Sequence, residues 1–331
     1  MQKRLPAIIL PGTGVPRELK CPVIQSPLAG ITDQIFRSLV RRWAPDALLF
    51  TEMVNATSLG LGHGSMKVEE LSRDNGPIGV QIFDHRPSAM VLAARYAEAS
   101  GAFIVDINMG CPVRKITKKG GGSGLLKDPD LAVEIVKKVS ESVKIPVSVK
   151  TRLGWCQNSS RPIEFALRLQ DAGAQLLTVH GRTREQGFQG KSDWQAIAKI
   201  KRALSIPVIA NGDIYSANDA FKCLEITKAD GIMIGRGSMG APWLVGQIYS
   251  ELQGQSKIKD PSPKERIGLA LEQLEKLLEV KGKHGLLIAK KHLNWTCKGF
   301  EGASELRKAL MKEHEPEKAI RLLKNSLSSL P

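Results

Sequence analysis

Cysteine is scarce in this chain, and the five present (21, 111, 156, 223 and 297) are never closer than the 45 positions between Cys111 and Cys156. That spacing excludes a CxxC zinc ribbon, a redox CxxC pair and a disulfide framework. There is no HExxH and no Cys/His cluster, so no metal is expected. No window approaches the length of about 18 consecutive apolar residues that a membrane-spanning helix needs. The run Ala7-Ile8-Ile9-Leu10 follows the charged start Met1–Arg4, but it is too short and too closely flanked by proline for a signal peptide. A cytoplasmic protein without membrane contact is expected. Acidic residues are outnumbered, 33 against 48 Lys and Arg, leaving a net charge of +15. Such a surface draws polyanions, and nucleic acid becomes a candidate partner beside the plainer reading of simple solubility. The hydrophobic share of 42% is ordinary for a folded protein and excludes global disorder, collagen and coiled coil. A chain of 331 residues suits one large domain plus a smaller one.

What is present is a rhythm of short apolar runs: Val23–Ser26, Ala47–Glu52, Ile78–Ile82, Phe103–Asn108, Val147–Lys150, Leu176–His180, Val208–Asn211 and Gly231–Gly235. Between them the spacing is helical, as with Leu131, Ile135 and Val139. Runs this short and this continuously apolar fit strands buried on both faces of a parallel sheet. Eight strands alternating with helices over roughly 220 residues have the size and period of a (β/α)8 TIM barrel. A doubly wound open sheet has the same periodicity. The ends of the runs favour the barrel: Ser26-Pro27, Glu52, Gln81, Asn108, Lys150, His180, Asn211 and Gly235-Arg236 are all capable of chemistry. In a barrel those ends converge on one mouth, whereas an open sheet would spread them along a crevice.

Residues 1–250 therefore form the expected barrel domain. Polar Gln253–Pro263 (QGQSKIKDPSP) reads as a linker, taken as residues 251–263. Ser262-Pro263-Lys264-Glu265 then supplies an N-cap, a proline at the first helical position and a capping-box glutamate. Ile267, Leu271, Leu274 and Leu278 follow on one helical face, and Leu286–Cys297, Ala303–Met311 and Pro316–Leu327 predict three further helices. Residues 264–331 are thus expected to be a small all-helical domain. From residue 251 onward there are 16 Lys and Arg against 11 Asp and Glu, a share of the basicity and no more.

Two glycine motifs need testing. Gly190-Lys191-Ser192 fails as a P-loop because Glu185 stands where the first glycine belongs. Gly235-Arg236-Gly237-Ser238-Met239-Gly240 matches GxGxxG, but Pro242 and the linker follow where a dinucleotide site needs another strand. A turn that offers backbone N–H groups to a phosphate explains it better, with Asn211-Gly212-Asp213 as the other half. Cys111 lies in Asp106–Pro112 (DINMGCP), pinned between Gly110 and Pro112 at the mouth; it is either a merely buried cysteine or a catalytic one. Beyond it, Arg114–Gly124 (RKITKKGGGSG) reads as a solvated loop or as a lid closing on a phosphodiester. Lys150 would be a fixed cation in the mouth, suited to negative charge on a ring or an enolate. His180 and Arg182, in His180-Gly181-Arg182-Thr183, suit anion binding, although a lone histidine there could also cap a helix.

At these residues the sequence resembles the tRNA-dihydrouridine synthase family. The match covers Pro27–Asp33 (PLAGITD), Asp106–Pro112, Ser148–Trp155 (SVKTRLGW), His180–Thr183, Ile206–Asp213 (IPVIANGD) and Met233–Arg236 (MIGR). Ile288–Trp295 (IAKKHLNW) resembles the family's C-terminal helical signature. Two positions depart from the pattern, Gly120-Gly121-Gly122 in the catalytic loop and Lys290 in place of arginine. The resemblance implies an FMN-containing barrel that reduces C5=C6 of a uridine in tRNA, with NADPH or NADH as reductant. It places the flavin phosphate on Asn211, Gly212, Asp213, Gly235 and Arg236 near His180. Pro27, Leu28 and Ala29 would run along the flavin ring, Gln81 would hydrogen-bond to it and Lys150 would face its N1/C2 side. Cys111 would protonate C5 as a general acid, and Asn108 would orient the uracil. Arg114, Lys118, Lys119, Arg152 and Arg182 would hold the displaced RNA backbone, and Lys290, Lys291 and His292 would read the tRNA body, unless they are only a charged helix face. A monomer is expected. A flavin barrel for a free pyrimidine, in the manner of dihydroorotate dehydrogenases, would leave the basic loop and helical tail unexplained. An RNA-binding protein on a retired barrel would leave Cys111, Lys150 and His180 idle.

Overall fold

The computed structural model describes residues 5–330 except 13, 15, 64, 66, 67, 69, 159 and 160; the charged start Met1–Arg4 lies outside the described residues. A hairpin of β1 (Ile8–Leu10) and β2 (Arg17–Leu19) precedes the main sheet. That sheet comprises β3 (Val23–Gln25), β4 (Leu49–Phe50), a short β5 (Val54–Asn55), β6 (Ile78–Phe83), β7 (Ile104–Met109), β8 (Val147–Arg152), β9 (Leu176–His180), β10 (Val208–Asn211) and β11 (Gly231–Ile234). The order β3-β11-β10-β9-β8-β7-β6-β4 is parallel throughout, with β5 beside the end of β6. The seam closes where Gln25 N–H donates to the Leu48 carbonyl at 3.1 Å and Cys21 bridges Ala47. The fold is an eight-stranded TIM-like barrel with helices between its strands. No helix among the described residues is long and apolar enough to cross a membrane.

Strand alternation divides the side chains. Val105, Ile107, Val149, Leu177 and Val179 face the helices and join the large core cluster. Their neighbours face the barrel interior, which is stratified. The lower layer is apolar: Ile24, Leu48, Phe50, Ile104, Leu176, Ile209 and Met233, capped from below by Ile8, Leu10 and Leu19 of the hairpin. Above it, buried Gln81, Asp106, Ser148 and Thr178 make a polar layer. The mouth carries Asn108, Lys150, His180 and Asn211. The hairpin has no counterpart in the eight predicted runs: three-residue strands at the barrel's closed end are too short for periodicity to reveal.

Helix Pro263–Lys281 begins on the expected reciprocal cap, with Ser262 N–H donating to Glu265 and Glu265 N–H to Ser262 Oγ. Helices His284–Thr296, Ala303–Lys312 and Pro316–Ser329 follow. Their apolar faces form a separate cluster that includes Ile35, a residue of barrel helix Gln34–Arg41. Phe36 of the same helix lies 5.7 Å, centroid to centroid, from His292, and Arg42 pairs with Glu272. The tail is therefore packed against the barrel wall.

Candidate active site

The mouth opens into a cleft of about 250 Å³. Pro27, Leu28 and Ala29 form one side, Cys111 and Arg152 the opposite lip, and Gln81, Asn108 and Lys150 the floor, with Gly212, Gly235 and Arg236 also lining it. Seven of the eight named strand ends thus converge; Glu52 does not line the cleft and instead accepts from Gly30 N–H. Most of their polar groups also bond one another.

Cys111 sits on a tightly held turn. Asn108 Oδ1 accepts from the N–H groups of Gly110 at 3.1 Å and Cys111 at 2.9 Å. The Cys111 carbonyl accepts from Ser123 N–H at 3.1 Å and Ser123 Oγ at 2.8 Å. Arg152 Nε donates to the Gly110 carbonyl at 2.7 Å. Burial raises the thiol's pKa above its ordinary value, outweighing the Val113 N–H and the cations Arg152 and Lys150. At neutral pH Cys111 is consequently a thiol, a proton donor rather than a nucleophile.

The loop beyond it is folded into two short turns. Arg114–Thr117 is a helical turn, Gly122–Lys127 a 3-10 turn, and Gly121–Leu125 are buried. Arg114, Lys118 and Lys119 remain exposed on its outer face.

Lys150 Nζ donates to Asn211 Oδ1 at 2.9 Å, and Asn211 Nδ2 in turn donates to the Met233 carbonyl at 2.7 Å. Burial first, then Arg152, lowers the lysine's pKa to about 8. His180 is pushed far below the ordinary imidazole range by burial and by Lys150, Arg152, Arg182 and Arg236. It is neutral, and because Arg182 Nη1 lies 3.2 Å from its Nε2 and can only donate, the ring proton sits on Nδ1. So many cations acting on one histidine make this half of the mouth a site for an anion. Gly212 and Gly235 line it, and their N–H groups have no partner among the described residues. A Cβ at Gly212, whose φ is +116°, would lie 2.5 Å from Ser192 Oγ and 2.8 Å from the His180 ring, so only glycine keeps this cradle open.

Several expectations need correction. Arg152 and Arg182 are buried. Arg152 Nη1 donates to the Thr183 and Gly187 carbonyls. Arg182 is bound by the carbonyls of Gln189 and Gly190 and forms an ion pair with Asp213 at 2.6 Å. Both arginines brace loops and cannot grip an RNA backbone. Asp213, at φ 56°, turns its carboxylate to Arg182, Arg236 and Ser192 N–H, so its backbone and not its side chain is what it has to offer a phosphate. His292 is 1% exposed, wedged between Phe36 and Trp295, and touches no solvent that an RNA could displace. Lys290 Nζ donates to the Met311 carbonyl at 2.8 Å inside the helical tail. Lys291 alone of that trio reaches the barrel rim, its Nζ lying 2.8 Å from where a Cβ on Gly30 would be. Gln81 and Asn108 lie in the cleft, but chiefly bond each other and Asp106.

Sequence reasoning missed Phe188 and Tyr215, 54% and 49% exposed, which flank the Arg236 guanidinium at 4.6 and 6.0 Å on the rim. Exposed rings beside a cation can stack a base. No motif marks them; large aromatics in polar loops after strand ends were the only available signal. Among the described residues no group of three His, Cys, Asp or Glu could hold a metal ion.

The family model described as Dihydrouridine synthase (Dus) matches residues 24–330. The chain belongs to the dihydrouridine synthase family. Among its relatives, "Probable tRNA-dihydrouridine synthase 1" of Synechocystis sp. is 53% identical over 307 residues, covering 93% of this chain and 86% of the relative. "tRNA-dihydrouridine synthase B" of Pasteurella multocida is 38% identical, covering 92% of each chain. A solved structure of morphinone reductase in complex with tetrahydroNAD has a similar fold, with a TM-score of 0.52 at 15% identity over 79% of this synthase-family chain and 93% of that one.

Proposed function

We propose that the protein is an FMN-dependent synthase that reduces C5=C6 of a uridine in tRNA to 5,6-dihydrouridine, using NADPH or NADH, as a cytoplasmic monomer. The observation that carries this reading is a protonated Cys111 thiol held on a braced turn, across the cleft from a cation-rich glycine cradle. FMN fits that cradle: the N–H groups of Gly212 and Gly235 would meet its phosphate with Arg236, and His180 Nδ1–H is a further donor nearby. Pro27, Leu28 and Ala29 supply an apolar wall for a flat ring, and Lys150 supplies a positive charge where reduced flavin is negative. When bound there, FMN would supply the hydride-transfer chemistry that links a nicotinamide reductant to the uracil ring.

The remaining work falls to the chain itself. Lys150, held by Asn211, keeps its charge in place without solvent rearrangement. Asn108 fixes the turn so that the Cys111 thiol can face C5, and the thiol then gives its proton there. A uridine must leave the tRNA stack to reach the cleft, and the exposed Arg114, Lys118 and Lys119, with half-buried Lys291 at the rim, would meet its phosphates. The names of the relatives support tRNA as the substrate. A visible absorption spectrum of the purified protein, followed by chromatography of heat-released cofactor, tests the flavin assignment. FMN is expected; FAD or a colourless, flavin-refractory protein would overturn it.

A further inference from the structure

Behind the Cys111 turn lies a buried line of hydrogen bonds. Ser148 Oγ donates to Asp106 Oδ1 at 2.6 Å, and Gln81 Nε2 donates to Asp106 Oδ2 at 2.6 Å. Asn108 Nδ2 donates to Gln81 Oε1 at 2.7 Å, and Asn108 Oδ1 accepts from the N–H groups of Gly110 and Cys111. Asp106, Gln81 and Ser148 are at most 1% exposed. The geometry points to Asp106 as a positioning residue whose carboxylate orients the amides of Gln81 and Asn108 in series, and through them the Cys111 turn.

The direction of each amide follows from the two ends. A carboxylate only accepts, so Gln81 must turn its NH2 toward Asp106 and its carbonyl toward Asn108. Asn108 must then turn its NH2 toward Gln81 and its carbonyl toward the turn. Two backbone N–H groups, which only donate, require that same orientation at the far end. Reversing either amide would set acceptor against acceptor at Asp106 or donor against donor at the turn, at a cost that burial of Asp106 and Gln81 makes larger. A bond to a charged group is about twice as strong as a neutral one, which makes the Asp106 end the firmer anchor. Burial raises the Asp106 pKa to about 6, against the bonds from Gln81 and Ser148 and the charge of Lys150 on the next strand, which hold it down, so the carboxylate is ionised at pH 7 and above. Among the described residues its side chain hydrogen-bonds only to Gln81 and Ser148 and does not line the cleft, and its charge also supports that of Lys150.

The inference rests on Cys111 being the proton donor, and a charge relocation tests it. Gln81→Glu alone puts two acceptors face to face. They must share a proton, so the line holds at low pH, and as pH rises the two carboxylates repel and push the side chain at position 81 off its place against Asn108. Asp106→Asn combined with Gln81→Glu moves the carboxylate by one link. The amide introduced at position 106 then accepts from Ser148 and donates to the carboxylate introduced at position 81, which still accepts from Asn108. Everything downstream is preserved.

Two readouts are needed. In steady-state reduction of unmodified tRNA by the FMN-loaded enzyme with excess NADPH, Gln81→Glu should lower kcat by roughly 10²-fold, the usual effect of a misplaced group. Its KM for tRNA should stay at the wild-type value, the deficit should deepen from pH 6 to pH 8, and the double variant should recover most of the rate. In the flavin-free protein, iodoacetamide alkylation of Cys111, followed by peptide mapping, should quicken in Gln81→Glu and return to the wild-type rate in the double variant. A Gln81→Glu protein too unstable to isolate, beside a double variant that folds and works, would support the same relation. A single variant with wild-type rates in both assays at pH 8, or a double variant no better than the single, would overturn it. If wild-type enzyme makes no dihydrouridine, the proposed reaction fails, while the alkylation series still decides whether the line of amides holds the turn.

Discussion

Gly122 lies directly beneath Cys111: a Cβ on it would sit 3.0 Å from the Cys111 carbonyl oxygen and 3.2 Å from the Cys111 Cβ. With φ at +57°, Gly122 also occupies backbone space that other residues enter only at a cost of about 1–2 kcal/mol. The glycine run that departs from the family pattern is thus the support of the candidate catalytic turn. Gly122→Ala should lower stability by about that amount and reduce dihydrouridine formation up to about 10²-fold, because the thiol is displaced. Thermal unfolding and single-turnover assays check both parts. An alanine variant with unchanged melting temperature and rate would show that the turn does not depend on this close approach.

Binding of reduced FMN should draw a proton from solution. Burial and Arg152 lower the Lys150 pKa to about 8 in the flavin-free protein, so the amine is partly neutral at pH 8.5. The anionic ring of the reduced flavin beside it would favour the charged form and raise that pKa, so protons are taken up between about pH 8 and 9 and hardly at all below pH 7. Calorimetric titration in buffers of different ionisation enthalpy measures the uptake. Proton release at pH 8.5, or no buffer dependence, would contradict the placement of Lys150 beside the flavin.

His292 should behave as core. Neither of its ring nitrogens has a hydrogen-bond partner, and burial together with Lys291 lowers its pKa to about 4. The unfolded chain therefore takes the proton first. Stability present above the unfolded value of 6.5 is lost as pH falls toward 4, by at most about 3 kcal/mol. His292→Phe should remove that acid sensitivity and leave tRNA affinity unchanged. Denaturant unfolding at pH 7 and pH 5 tests the first part and filter binding the second; a large loss of tRNA affinity would restore the histidine as an RNA contact.

The barrel itself was readable because its strands are short apolar runs that end in polar residues, and the cap at Ser262–Glu265 was readable from local chemistry alone. Partnerships across the barrel were not. Arg152 and His292 look like surface cations in sequence, yet Arg152 is enclosed by carbonyls of Gly110, Thr183 and Gly187, and His292 by Phe36 and Trp295. Apart from Trp295, three residues along the same helix as His292, those neighbours are brought in by tertiary packing, which one-dimensional spacing does not encode. Asp106 stands in the DINMGCP motif without an evident role for the same reason: its partners Gln81 and Ser148 lie on the strands to either side.

The exposed cations on the outer face of the Cys111 loop should carry part of the tRNA affinity. Each of Arg114→Ala, Lys118→Ala and Lys119→Ala should weaken binding and flatten its dependence on log salt by roughly 0.7 to 0.9 for every phosphate no longer neutralised. Titrations at several salt concentrations read the slope directly. A triple variant with the wild-type slope would place the RNA elsewhere.

The most direct measurement is of product. FMN-loaded protein, NADPH and an unmodified tRNA transcript should yield a nucleoside heavier than uridine by two hydrogens, identified by mass spectrometry after digestion. Cys111→Ala should keep its flavin and still oxidise NADPH, while dihydrouridine formation falls by roughly 10²- to 10⁴-fold, the usual contribution of a general acid. Wild-type protein that leaves every uridine intact, or a Cys111→Ala variant that makes dihydrouridine at the wild-type rate, would contradict the assignment of Cys111 as the proton donor in tRNA uridine reduction.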